Sequence, residues 1–168
     1  MNFQKLLEFL TDLQANNNKA WMDKNRPRYK AVRDDFIAFL DTVNAKLTSK
    51  FPEYTETSGR RAIERINNNL MFHPNRPTYK DHFGGTLDKA LKNSDFYFSV
   101  GVGEDSCCVA GGVWHPNKTQ LKSIREAIDY DGEELKKIIN KPSFKAVFGG
   151  MYQRDSLKTS PQNYPNDH

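Results

Sequence analysis

Cysteine is nearly absent: the 168 residues hold two, Cys107 and Cys108, side by side. Neighbours on a strand point to opposite faces, so a disulfide between them needs a strained turn. Two free thiols in a reducing compartment are expected. Two adjacent cysteines and scattered histidines also lack the four suitably spaced ligands of a zinc site. Long apolar runs are absent too, and nothing approaches the roughly 20 residues a membrane span needs. The opening MNFQKLLEFL is too short and too amphipathic for a signal peptide, so a cytoplasmic protein with no membrane partner is expected. No Walker-type phosphate loop, Gly-x-Ser-x-Gly elbow, His-Glu-x-x-His pair or Rossmann fingerprint occurs. Gly101-Val-Gly lies between two expected strands, where glycine serves a turn. No cofactor is indicated.

What is present describes a globular chain. The hydrophobic share is 37%, the charged share 27% and the aromatic share 12%, so much of the core is expected to be Phe and Tyr. The length fits one domain, residues 1–168, able to bury a real core. The net charge of +4 is unevenly spread, with six basic residues against one acidic between Lys19 and Arg33. Such a patch suits phosphates or nucleic acid, although a solvated face is the plainer explanation.

Phe3, Leu6, Leu7, Leu10 and Leu13 recur at helical spacing, and Asn16-Asn17-Asn18 breaks the helix. Tyr29, Val32, Phe36, Leu40, Val43 and Leu47 form the stripe of a longer second helix, which Phe51-Pro52 ends. These two make an N-terminal helical hairpin. Arg60–Ile66 gives a weak strand signal. Phe96–Val102, aromatic and β-branched, is a strand; the turn Gly103–Ser106 returns it as Cys107–Trp114. Asn117 and Gln120 form a capping box before one helix, and Asp131 with Glu134 repeats it before a second, closed by Lys141-Pro142. The class expected is α+β, a single domain with an antiparallel sheet and two further helices after the main β-hairpin. From Ser156 (156–168) the chain reads as an irregular tail, or as the cut end of a longer one.

Three constellations carry potential chemistry. Trp21, Asn25, Arg26 and Tyr29 lie near one helical face, where Arg over an aromatic ring makes a planar platform for a base or carboxylate; core packing is the alternative. Tyr79, Lys80, Asp81 and His82 precede Phe83-Gly84-Gly85. On a strand Lys80 and His82 share a face, and with Arg65 they make an anion pocket. Gly111–Pro116 puts His115 at the mouth of the hairpin beside paired glycines. A metal held by His73, His82 and His115 lacks a carboxylate partner, so no metal is expected.

The runs FLTDLQANNNKAWMDKNRPRY (Phe9–Tyr29), RIN…MFHPNRPTYKDHFGG (Arg65–Gly85), GGVWHP (Gly111–Pro116), LKSIREAI (Leu121–Ile128) and LKTSPQNYPNDH (Leu157–His168) together resemble the bacterial conserved-hypothetical family called domain of unknown function 2461. The resemblance implies a cytoplasmic bacterial protein with no established activity, cofactor or catalytic residues to carry over. It also implies a version shortened at the C-terminus. Where that family carries an Arg-Asp pair and a further basic residue, this chain has Asn68, Asn69 and Met71; where it has Lys and Asp, this chain has Pro74 and Asn75. Arg65, Tyr79, Lys80 and His82 are retained. Three functions stay open. One is binding of a small phosphate- or carboxylate-bearing anion by Arg65, Tyr79, Lys80 and His82, with Trp21, Arg26 and His115 as further candidates. The others are an enzyme with His82 or His115 as general base, and nucleic-acid binding through 19–33, the less favoured reading.

Overall fold

The structure, a computed structural model, describes residues 1–87, 95–103, 106–152, 157, 159–161 and 164. The chain divides into two compact units, Met1–Pro116 and Asn117–His168.

The first unit opens with helix α1 (Phe3–Ala15), whose N-cap Asn2 accepts a hydrogen bond from the Lys5 amide. Leu6, Phe9, Leu10 and Leu13 are fully buried along one face, each contributing about 1.5–3 kcal/mol by its removal from water. The expected second helix proves to be two: α2 (Lys19–Lys24) and α3 (Arg26–Lys50), joined at Asn25. Asn25 Nδ2 donates to the Trp21 carbonyl at 2.9 Å, and Pro27 in the first turn of α3 starts a new helix where its missing N–H costs nothing. Val32, Phe36 and Leu40 carry the stripe into the core, but the next buried position is polar Asn44. Its Oδ1 accepts from the Tyr54 hydroxyl and the Thr57 amide.

The weak strand expected at 60–66 is corrected: Gly59–Ala62 forms a single helical turn, α4, and the chain becomes extended only from Ile63. Its extended part then runs antiparallel to β1 (His82–Leu87) and to the segment leading into it, through bridges Ile63–Gly85 and Asn67–Tyr79. Strand β1 pairs antiparallel with β2 (Asp95–Gly101), Gly85 opposite Phe98. Strand β2 in turn pairs with β3 (Cys108–Gly112), giving the order β1-β2-β3. Phe83 and Leu87 are buried, and Phe83 stacks near Tyr29 and Phe36. Neither cysteine is in a disulfide, and both are exposed.

The second unit is helical. Helix α5 (Lys118–Ile139) starts with the expected capping box, Asn117 and Gln120 each accepting the other's amide. It leaves helical geometry at Asp131 (φ −149°), where the second N-cap was expected. Pro142 does more than end that helix: it begins a further one, α6 (Pro142–Phe148). The α+β class, the antiparallel sheet, the helical N-terminus and the helices after the hairpin follow the sequence expectation. The tail expected over 156–168 lies mostly outside the described residues.

Candidate functional site

The Asn- and Pro-rich run from Arg65 to Gly85 is a hairpin whose two ends meet. The Lys80 amide donates to the Ile66 carbonyl at 2.7 Å, Glu64 to Gly84 at 2.8 Å, and Asn68 to Thr78 at 3.0 Å. The turn is closed by the Arg76 amide on the His73 carbonyl. Its tip exposes Met71 and Phe72 at 82% and 72%.

The backbones meet, but the candidate side chains do not converge. Tyr79 is buried in the core, and Asn17 clasps its peptide from both sides: Asn17 Nδ2 donates to the Tyr79 carbonyl, and the Tyr79 amide to Asn17 Oδ1, each at 2.9 Å. Lys80 Nζ lies 2.7 Å from Glu64 Oε2 in a pair 22% and 33% exposed. His82 Nδ1 lies 2.8 Å from Asp81 Oδ1. Asp81 precedes the strand, so the two side chains meet instead of alternating. Trp21 is half-buried with its ring centroid 5.9 Å from that of Phe9. Arg26 is exposed and shares Asp23 with Lys19; those two cations hold the Asp23 carboxyl below its usual range. His115 is exposed, with φ 47° and its ring edge against Trp114.

Of the seven candidates, only Arg65 lines a cleft of any chemical promise. That cleft, about 270 Å³, is bounded by Tyr29 and Arg33 of α3, Arg60 of α4, and Ile63, Glu64, Arg65, Ile66 and Asn67. Three arginines thus line one cleft with a single acidic residue, Glu64, whose carboxylate is committed to Lys80. Arg33 has Asp34 at 3.6 Å. Arg60 and Arg65 have no anionic partner among the described residues. Burial pushes the Tyr29 phenol above its usual range, opposed by the charges of Arg33 and Arg26 and a hydrogen bond with Arg33. Close guanidinium groups repel one another, and an anion received between them relieves the repulsion.

The sequence held one signal for this set. Arg33 lies four residues after Tyr29, hence on the same helical face. Arg60 could not be placed without knowing that Gly59 seats α4 on α3, its amide donating to Asp41 Oδ1 at 2.6 Å.

A larger, shallower groove of about 660 Å³ runs along α1 and is lined by Gln4, Leu7, Glu8, Thr11, Asp12 and Arg28. Its one cation, Arg28, is held by Asp12 at 2.6 Å. Among the described residues no group of three or more His, Cys, Asp or Glu could hold a metal ion, and no helix is long and apolar enough to cross a membrane.

Compared with known families, residues 5–168 match the model of one described as "Conserved hypothetical protein (DUF2461)". No curated protein and no solved structure matches the chain.

Proposed function

The chain belongs to that conserved hypothetical family, and from this premise we propose that it binds a small phosphate- or carboxylate-bearing anion in the cleft between α3 and residues 60–67. What supports this reading is that Arg33, Arg60 and Arg65 line one cleft whose single acidic lining residue, Glu64, is already paired with Lys80. Guanidinium groups bind such anions through two parallel N–H···O bonds, stronger and more directional than a lysine contact. Tyr29, Asn67, Ile63 and Ile66 complete the lining, two polar residues and two apolar ones. The size favours a compact ligand over a polymer.

Two other readings have less support. The general-base candidates His82 and His115 do not line the cleft. In the 19–33 patch, Lys19 and Arg26 sit on Asp23 and Arg28 on Asp12, which leaves much of its charge neutralised for nucleic acid.

Titration of the full chain with inorganic phosphate, pyrophosphate and citrate tests the proposal. At least one should raise the melting temperature, with a stabilisation of about 2.7 kcal/mol at a hundred times its Kd. Arg60→Ala and Arg65→Ala should each weaken binding roughly ten- to a hundredfold, as loss of a charge-assisted contact predicts. No thermal shift with any of the three, or an undiminished shift in both variants, sinks the proposal.

A further inference from the structure

Glu64 is the one acidic residue lining the arginine cleft, and the fold keeps its carboxylate occupied elsewhere. The Glu64 amide is fixed to the Gly84 carbonyl at 2.8 Å. Its side chain lies against Gly84: a β-carbon added there would come 3.1 Å from Glu64 Oε2 and 2.6 Å from the Tyr97 hydroxyl. Lys80 Nζ closes on the same Oε2 at 2.7 Å, in a pair only 22% and 33% exposed. Water and salt screen such a pair less than one on the open surface.

We propose that Lys80 and the side-chain-free Gly84 hold the Glu64 carboxylate away from the arginines, and that loss of this restraint closes the anion site by self-occupation. This rests on the anion-binding reading above. Lys80 then acts as a positioning residue that does not touch the ligand. Once released, the carboxylate stays tethered at a residue that lines the same cleft, so it competes with a free anion at high effective concentration. A modest bias in its position is enough to block the site.

The two ways of deleting the ion pair therefore have opposite results. Lys80→Ala frees the carboxylate and should weaken binding; Glu64→Gln removes the competitor and should not. A pair that only supported the fold would give the same result from either side.

Calorimetric titration of the full chain with inorganic pyrophosphate decides the matter, with the melting temperature of each variant measured alongside. Lys80→Ala should bind about tenfold more weakly, the scale of one partly screened charge a few ångströms away. Glu64→Gln should bind at least as tightly as the wild type. The double variant should return to within about twofold of it, and Lys80→Arg should keep the restraint. If Lys80→Ala does not fold, Gly84→Ala gives a second route, since its methyl group displaces the Tyr97 hydroxyl and crowds the Glu64 carboxylate; any loss of affinity that arises from the carboxylate should be restored by Glu64→Gln. Wild-type affinity in Lys80→Ala overturns the proposal, and so does a double variant as weak as Lys80→Ala. Binding that Arg65→Ala destroys and Lys80→Ala spares would overturn the restraint alone. A wild type that binds no pyrophosphate overturns the cleft reading and the restraint together.

Discussion

Gly85 is set so close to α3 that a β-carbon there would lie 2.7 Å from Leu40 Cδ1. Gly85→Ala should therefore cost about 1–3 kcal/mol through overpacking, measured by urea denaturation. Leu40→Ala, at a fully buried position, should cost about 2–5 kcal/mol through the cavity it leaves. Titration adds a further expectation. Burial raises the phenols of both Tyr29 and Tyr97, so the folded chain holds these protons more tightly than the unfolded one. That contribution is fully present below the ordinary tyrosine value of 10.0 and is lost as the pH rises through the raised folded values. Stability should fall on the alkaline side of about pH 10, and Tyr29→Phe with Tyr97→Phe should flatten the fall, as followed by urea midpoints across pH. Arg65 was readable in the sequence as a cation at the end of a polar run. The commitments of its neighbours were not, because Lys80 to Glu64 spans 16 residues and depends on two segments pairing.

Helices α1 and α3 and strand β2 were legible because each repeats one period over several turns or pleats. Strand β1 was not. Its HFGGTL holds two glycines, a residue that intrinsic preference keeps out of strands; the close approach of Leu40 and of Tyr97 and Glu64 explains them. Helix α4 has four residues, too few for any periodicity to show. The tip of the 65–85 hairpin makes an element-level prediction. Met71 and Phe72 are mostly exposed, so Met71→Ser with Phe72→Ser should change stability by no more than about 0.5 kcal/mol. Phe36→Ala in the fully buried stripe should cost about 3–5 kcal/mol. Comparable losses in the two would mean that the tip is covered.

Burial is concentrated in the first of the two compact units. All the fully buried large side chains among the described residues belong to α1, α2, α3 and β1, whereas α5 and α6 bury none. Hydrogen exchange should accordingly be slowest at amides of α1, α3, β1 and β2, near the global unfolding limit, and faster throughout α5 and α6. Uniform protection over both groups would contradict this. Fold class was recoverable from composition and period because each element buries one side. The arginine cleft was not, since its cations come from two helices and an extended segment that only the tertiary fold brings together.

The Asn17 clasp on the Tyr79 peptide joins residues 62 apart in the chain. Closing a loop of that length costs on the order of 4 kcal/mol in chain entropy, whereas the 65–85 hairpin closes through short-range contacts. The expected order of events in folding is therefore the hairpin and the helices first, with the clasp locking after the rate-limiting barrier. Asn17→Ala, which leaves two peptide groups unpaired at a cost of about 1–3 kcal/mol, should then leave the refolding rate nearly unchanged. Each kcal/mol lost should appear instead as about fivefold faster unfolding, a shift of the unfolding limb alone in stopped-flow denaturant jumps.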